Sequence, residues 1–408
     1  MPGALVSTVS NVLKDRYMGP LNRQLNDEIL VFQLLDLDSK SIDLDGNRAV
    51  VPLHKGRSSG IGARLEAETL PTAGFQVFDK AVYDLTYQYG RAQFTGQAIQ
   101  KTKTDAGAFI RVMTEELDRL REDLALDMAR QVYGDGTAKI ATLNDTATSA
   151  THVILSAEPI DKGYLYANMQ VDVGTVANPV LKLTNDKIVS VSGVTVVFTT
   201  SFTAAVTDFI FRAGNAAAAV SKELTGLQAI LGSTSNIVGG INRATAGNEY
   251  WRPIVDSAGG VISLSNLMIE ANKLKAQGAK PGDQLVLTDD GISRRLFETA
   301  EFKTNVRFVN ETELNAGFTG LKFASGGALI NLVSDRLTPW GQVMFLDKKR
   351  LKVFSPGGWQ FLDRDGLTIR WVSDQDAYQA VLFRYINLGT GRSNTSGSMT
   401  GITDTNGV

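Results

Sequence analysis

The residues that could carry catalytic or metal-binding chemistry are few in this sequence. The chain contains two histidines, His54 and His152, and no cysteines, which excludes disulfides, zinc–thiolate sites and cysteine nucleophiles. A Ser-His-Asp triad or a histidine-based metal site would have to use one of the two histidines. Neither has a HExxH partner or a second ligand at helical spacing. The sequence therefore predicts no catalytic residue, no metal site and no cofactor.

Two Asp-Gly segments have part of the spacing of a calcium-binding loop. SIDLDGNRAVVP (41–52) has acidic residues at positions three and five, but a proline stands where an EF-hand needs a bidentate glutamate. FLDRDGLTIRWV (361–372) ends in a valine and fails in the same way. Both segments are better explained as turns built on Asp-Gly. A site of paired carboxylates stays open, because aspartate and glutamate are plentiful.

The segment RQVYGDGT (130–137) raises the possibility of a phosphate-binding loop. Neither it nor GRSSGIGAR (56–64) matches GxxxxGK[ST] or GxGxxG. A phosphate-binding loop precedes a helix, whereas this segment follows one. We predict that Gly134 ends the helix in the left-handed conformation, and that Asp135 and Gly136 form a tight turn after it.

The helix that ends there is the strongest periodic element of the chain. Over residues 104–133, apolar side chains recur every three or four residues and form one stripe. At about 1.5 Å per residue the helix is roughly 45 Å long, which favours a scaffold element. The residues of the stripe are Phe109, Met113, Leu117, Leu120, Leu124, Met128 and Val132.

A long two-stranded hairpin precedes the helix. NRAVVPLHKG reads as one strand, and FDKAVYDLTYQYG alternates as a second strand does. A glycine-rich, charged stretch joins them. Because an isolated hairpin has no core of its own, it must lie on this chain or on a neighbouring subunit. The residues predicted to share one face of the second strand are Ala81, Tyr83, Leu85, Tyr87 and Tyr89.

The remaining segments mix short strands and helices, which predicts an α+β fold. Residues 138–221 contain several short strands, and 262–300 reads as helix, strand and helix. Residues 320–375 read as β-hairpins. The apolar segment DAYQAVLFRYINL (376–388) fits either a helix or a strand. From Gly389 onward the chain is polar and small, and we expect it to be mobile.

Composition and charge restrict the partners. The 408 residues are 43% hydrophobic with a formal net charge of −2, which is ordinary for about two or three globular domains. No basic patch with interleaved aromatic residues favours nucleic-acid recognition. The N-terminus lacks the features of a signal peptide, and no apolar run approaches the roughly 18 residues of a membrane span.

The order of elements resembles the HK97-like major capsid proteins of tailed bacteriophages. The series runs from an N-terminal arm, through VVPLHKGRSSGIGARLEAETLPTAG and LALDMARQVYGDGT, to LTPWGQVMFLDKKRLKVF and DRDGLTIRWVSDQDAYQAVLFRYINL. The resemblance implies an N-terminal arm (1–45), an E-loop (46–98), the spine helix of a peripheral domain (99–140), a β-rich insertion (141–221), a connecting segment (222–261), an axial domain (262–335), peripheral-domain β-structure (336–375), and an axial-domain return with a flexible tail (376–408).

The resemblance also implies a function. The family is structural and not enzymatic, and its subunits form pentamers and hexamers of an icosahedral shell. We therefore expect a virion capsid protein, assembled in the bacterial host cytoplasm, which encloses double-stranded DNA without sequence-specific binding. Expected partners are a portal, in some cases a decoration protein, and a separate scaffolding protein, because Met1 begins almost directly in the arm.

Intersubunit contacts are expected on the E-loop. The residues assigned to them are Arg57, Arg64, Glu66, Glu68, Tyr83 and Tyr87. Two alternatives remain open at this point. An encapsulin-type nanocompartment shell has the same fold, and a soluble carbohydrate-active enzyme would use paired carboxylates.

Overall fold

The fold is described from a computed structural model of the chain. The described residues are 30–38, 47–97, 106–175, 180–216, 222–257, 259–298, 307–308, 321–325, 328–363, 369–372 and 375–403. Most of the expected N-terminal arm lies outside them. So do the side chains of Phe109 and Met113 in the predicted helical stripe.

The α-helices are named in chain order. They are α1 (Leu30–Leu34), α2 (Ala106–Tyr133), α3 (Glu158–Asp161), α4 (Leu227–Leu231), α5 (Leu264–Ala276) and α6 (Asp290–Glu298).

The strands follow the same convention. They are β1 (Asp36–Asp38), β2 (Arg48–Gly56), β3 (Val77–Asp84), β4 (Thr86–Thr95), β5 (Lys139–Thr142), β6 (Thr148–Val153), β7 (Gln170–Gly174), β8 (Leu181–Ser192), β9 (Thr195–Thr203), β10 (Phe209–Arg212), β11 (Ile237–Val238), β12 (Ile241–Asn242), β13 (Ile254–Asp256), β14 (Gln284–Thr288), β15 (Arg307–Phe308), β16 (Leu321–Ser325), β17 (Ala328–Ser334), β18 (Val343–Asp347), β19 (Leu351–Phe354), β20 (Gln360–Phe361), β21 (Ile369–Trp371), β22 (Ala377–Thr390) and β23 (Gly397–Met399).

The first sheet is organised around β22, which settles the open choice for this segment as a strand. β22 pairs antiparallel with β4 along ten residues, and with β19, β20 and β21. Helix α2 packs against β4, and the apolar residues between them belong to the largest core cluster. The segment forms a strand, in which Ala380, Leu382 and Ile386 lie at even spacing on one buried face.

The second sheet has seven strands in the order β13-β23-β18-β14-β17-β16-β15. Helices α5 and α6 contribute Leu267, Leu274, Ile292 and Leu296 to the core that covers it. β14 is buried at all five positions, as is typical of a central strand.

The third sheet lies in the predicted insertion, although β5 begins before it at Lys139, and has the order β5-β10-β7-β8-β9-β6. It has its own core cluster, which includes Val171, Ile188, Phe198 and Ile210. Its first and last strands in sequence, β5 and β10, are neighbours. The insertion sheet therefore leaves and rejoins the rest of the chain at adjacent points.

Helix α2 ends where the sequence predicts, at Tyr133, but the turn differs from the prediction. The left-handed residues are Gly136 (φ 78°) and Ala138 (φ 65°), so the assignment of Gly134 to that conformation is wrong. The carbonyl of Gly134 accepts a hydrogen bond from the N–H of Gln228 at 3.1 Å, because the helix end meets α4 here. Asp135 stabilises the turn by accepting the N–H of Thr137 at 3.0 Å.

The expectation of a mobile C-terminal segment from Gly389 is wrong over its described part. β23 is buried between β13 and β18, and Ser393, Thr395 and Ser396 are each at most 1% exposed. The hydroxyl of Ser398 donates to the Leu231 carbonyl at 2.9 Å. Small polar residues serve here because their hydroxyls satisfy buried backbone acceptors.

The predicted domain boundaries do not follow the sheets. β18, in the segment 336–375, pairs with β14 from the segment 262–335. β22, in the segment 376–408, pairs with β4 from the hairpin segment. Strands that are distant in sequence exchange partners between sheets, and the pattern of apolar residues does not specify a partner.

Candidate interaction surface

The base of the β2–β3 hairpin belongs to the core of its own chain. Ala49, Leu53, Ala81 and Tyr83 are each at most 4% exposed. The Tyr83 ring stacks on Phe354 at 5.5 Å between centroids. Its hydroxyl donates to the Thr390 carbonyl at 3.0 Å and accepts the Thr390 N–H at 3.1 Å. The assignment of Tyr83 to an intersubunit contact is therefore wrong, because the side chain is enclosed within the subunit.

A polar cluster around Lys55 anchors the hairpin to the rest of the chain. The Lys55 ammonium donates to Asn248 Oδ1 at 3.0 Å and lies 3.9 Å from Asp79. The Tyr250 hydroxyl donates to Asp79 at 2.8 Å, and this hydrogen bond is the main reason that the pKa of Asp79 lies below its usual value. The cluster ties the hairpin to residues 248–250, which precede β13.

The segment that receives the hairpin is organised by a buried arginine. Arg243 is fully buried, and its guanidinium donates to backbone carbonyls of Ala229, Ile230, Ser233 and Trp251. Burial lowers its pKa to about 10. Five N–H donors in one planar group can join several chain segments, which no other side chain does as well.

Beyond these anchors the hairpin ends in a loop of residues 57–76, called the tip below. Five large apolar side chains of the tip and its adjoining strand are between 70% and 86% exposed to solvent. They are Ile61, Leu65, Leu70, Phe75 and Phe78. Scattered exposed apolar residues are ordinary, whereas a group of this kind on one loop is a candidate interaction surface.

The tip is ordered by its own backbone contacts. A Cβ added to Gly74 would lie 2.7 Å from the Ser59 nitrogen, and one added to Gly60 would lie 2.9 Å from the Gly74 nitrogen. Two glycines therefore allow the two sides of the tip to touch. The Arg64 guanidinium donates to the Thr69 carbonyl at 2.8 Å across the end of the loop.

The charged residues predicted for the interface lie on this tip. Arg57, Arg64, Glu66 and Glu68 are all exposed. Arg64 folds back onto the loop as described, and Glu68 accepts the Leu65 N–H at 2.8 Å. Within the described part of the chain, no ion pair joins any of the four to another side chain. Two of these residues, Arg64 and Glu68, thus shape the tip. The exposed apolar side chains of the tip were not among the residues predicted from the sequence.

A second exposed surface lies on the outer side of β4 and β22, called the aromatic face below. Tyr87 and Tyr89 are 49% and 55% exposed, and they lie opposite Tyr385 and Phe383 in the strand register. The rings of Tyr87 and Tyr385 meet edge to face at 4.9 Å. Among the described residues, no hydrogen bond, ion pair or ring contact joins the aromatic face to the tip.

The predicted alternation explains part of this face and fails at Leu85. Ala81, Tyr83 and Leu85 share a buried face, as the alternation predicts for one face, but Thr86 and Gln88 are buried too, while Tyr87 and Tyr89 are exposed. The chain passes at Leu85 from the two-stranded ribbon with β2 to the sheet with β22. This passage shifts the alternation by one residue, which moves every later side chain to the other face.

Chemical sites are not evident in the described structure. His54 contacts Gln76, the last residue of the tip, and His152 is buried in the insertion sheet. The described residues contain no group of three or more His, Asp or Glu side chains arranged to hold a metal ion. Among those same residues, no helix combines the length and apolar character needed to cross a membrane.

Comparison with known proteins gives no match at the level of sequence. No family model matches the chain, and no curated protein matches it. Solved structures do match. A chain of the cyanophage A-1(L) capsid asymmetric unit superposes with a TM-score of 0.55 at 11% identity, over 92% of this chain and 93% of that one.

The chain has the HK97-like fold of phage capsid proteins. Two further structures are similar at lower scores. The capsid of the native GTA particle gives a TM-score of 0.49 at 8% identity, over 92% of this chain and 91% of that one. The holo-SrpI encapsulin complex from Synechococcus elongatus gives 0.47 at 9% identity, over 93% and 89%. The assignment of the capsid fold rests on the cyanophage chain and confirms the predicted resemblance at the level of fold.

Proposed function

We propose that the protein is the major capsid protein of a tailed bacteriophage, and that its copies assemble through pentamers and hexamers into an icosahedral shell around double-stranded DNA. The observation that carries the proposal is the exposed apolar group of the tip on a chain with the capsid fold. Exposure of side chains such as Phe75 and Leu70 to water is unfavourable, and burial against a second subunit would lower the free energy.

In this proposal the β2–β3 hairpin is the E-loop and α2 is the spine helix. The sheet around β22 belongs to the peripheral domain, and the seven-stranded sheet to the axial domain. The anchors at Tyr83 and Lys55 support the role of the hairpin, because they fix its direction while the tip stays uncovered. A rigid base lowers the entropy that an assembling subunit loses on contact.

The contact we propose joins two different surfaces of neighbouring copies. The tip of one subunit covers the aromatic face of the next, which carries Tyr87, Tyr89, Phe383 and Tyr385. Tyrosine and arginine are enriched at such interfaces, and Arg91 continues this face beside Tyr89. A heterologous contact of this kind closes rings when repeated around an axis.

The remaining partners follow from this role. We propose a location in the virion capsid after assembly in the host cytoplasm, a separate scaffolding protein, a portal and, where present, a decoration protein. The net charge of −2 is compatible with a container that does not hold DNA tightly. The proposed role is structural and involves no catalysis.

The test is electron microscopy of the chain expressed alone and with its neighbouring genes. Capsomers, tubes or shells are expected, and a monomer under all conditions would overturn the proposal. Removal of residues 57–74 should leave a folded subunit that no longer assembles. Terminase and portal genes beside this one support a phage capsid, whereas a cargo enzyme gene and nucleic-acid-free particles would favour an encapsulin-type compartment.

A further inference from the structure

The insertion sheet contains a buried histidine with two hydrogen-bonding partners. His152, on β6, is fully buried, and its ring lies 4.2 Å from the Phe202 ring between centroids. Its Nδ1 lies 3.0 Å from Asp145 Oδ1, and its Nε2 lies 2.8 Å from the Ser149 carbonyl oxygen. Asp145 lies in the segment that leads into β6 and Ser149 in the first part of β6, so the imidazole links that segment to its own strand.

Both partners of the ring are hydrogen-bond acceptors. A carbonyl oxygen can only accept, and an ionised carboxylate can only accept. A neutral imidazole has a single N–H, so one of its nitrogens would face an acceptor with a lone pair. Only the imidazolium donates from both nitrogens, and its charge is balanced by Asp145.

The ring is surrounded by aromatic side chains of β9 and by Asp145. Strand β9 faces the ring with the apolar side chains Phe198 and Phe202. The charged group in contact with the ring is Asp145, whose other oxygen accepts the Val153 N–H at 2.6 Å. On loss of the ring proton the Asp145 contact can persist, whereas the Ser149 carbonyl would face a lone pair at 2.8 Å.

We propose that His152 is a pH-sensitive latch of the insertion sheet, which holds the segment 144–147 and the first residues of β6 in place when protonated and releases them when neutral. The strand is already irregular at the release point, since its pairing with β9 shifts register between Ser149 and Thr151. Histidine is the side chain that ordinarily changes charge between pH 5 and 8. Because only the protonated ring donates to both acceptors, protection of this segment should decrease as pH rises.

The sequence offers a matched control, because the only other histidine is the exposed His54. The experiment is hydrogen–deuterium exchange of the full chain from pH 5.5 to 8.5, corrected for the intrinsic pH dependence of exchange. In the wild-type protein, peptides covering 143–153 should exchange about tenfold faster or more at the upper end. His152→Gln should remove this pH dependence, and His54→Gln should leave it intact.

A second variant keeps the test decisive if His152→Gln does not fold. Asp145→Asn retains an acceptor for the Val153 N–H and removes the charge that balances the imidazolium, so the transition should move to lower pH. The proposal is overturned if wild-type exchange of 143–153 is independent of pH after correction. It is equally overturned if the pH dependence persists in His152→Gln or is unchanged in Asp145→Asn.

Discussion

Both ends of the β2–β3 hairpin carry large apolar side chains, but the two ends differ in whether those side chains are covered. At the base, Ala81 and Tyr83 are at most 2% exposed and join the largest core cluster of the chain. At the tip, Phe75 and Leu70 are at least 80% exposed. The base therefore contributes to the stability of the subunit, and the tip can contribute only through a partner. Substitutions at the base should therefore change the free energy of unfolding, and substitutions at the tip should change the free energy of assembly.

The largest expected effect on subunit stability comes from Arg243, which supports the base. Arg243→Ala removes the donors to four backbone carbonyls, three of them in buried hydrogen bonds, and should lower the free energy of unfolding by about 3–5 kcal/mol. Arg243→Lys is the control, because it keeps a charge but not the planar set of donors, and should lose less. The measurement is guanidinium unfolding of the unassembled subunit, and a loss below about 1 kcal/mol for alanine would contradict the role of this side chain.

The next effect is at Tyr83. Tyr83→Ala should cost about 3–4 kcal/mol, because it leaves a cavity beside Phe354 and frees the backbone groups of Thr390. Tyr83→Phe keeps the ring and should cost about 1–2 kcal/mol. Tyr87→Ala is the matched substitution on the exposed face and should cost less than about 1 kcal/mol. Equal losses at Tyr83 and Tyr87 in the unassembled subunit would remove the distinction between core and surface.

A smaller, pH-dependent effect is expected at Asp79. Its pKa is lowered in the folded state, chiefly by the Tyr250 hydroxyl, so its ionised form stabilises the folded hairpin. This stability is present above the ordinary aspartate pKa of about 3.9, and it is lost as pH falls below that value. Asp79→Asn should therefore be less stable than wild type at pH 6, and the difference should shrink on acidification. Thermal unfolding across pH 2.5–6 measures this, and a difference that grows on acidification would contradict it.

The smallest effect on subunit stability is expected at the tip, where the same substitutions should abolish assembly. Leu70→Asp combined with Phe75→Asp should change the free energy of unfolding by less than about 0.5 kcal/mol, because both side chains are exposed. The same variant should form no shells, since charged groups would be carried into the contact. The charge reversal Glu66→Lys, at an exposed position on the same loop, should alter assembly only slightly. Normal shells from the double variant would show that the tip stays uncovered in the assembly.

Periodicity in the sequence was enough to locate the main elements. The end of α2 at Tyr133 and the buried positions Leu117, Met128 and Val132 follow from the spacing of apolar residues. The absence of cysteine and the scarcity of histidine are also properties of the sequence alone. Such patterns are local, and a helix or strand displays them whatever its neighbours are. The order of elements added the resemblance to capsid proteins, which the fold confirms.

Only the tertiary structure decided which apolar surfaces are covered. Tyr83 and Tyr87 occupy equivalent positions in the alternating pattern, yet one is buried and the other half exposed, because the chain changes sheet at Leu85. The polar segment 393–399 reads as a mobile tail until β13 and β18 bury its serines. Burial depends on partners that are distant in sequence. The sequence thus determined the helices and strands. The pairing of the strands determined which apolar side chains stay exposed on the subunit.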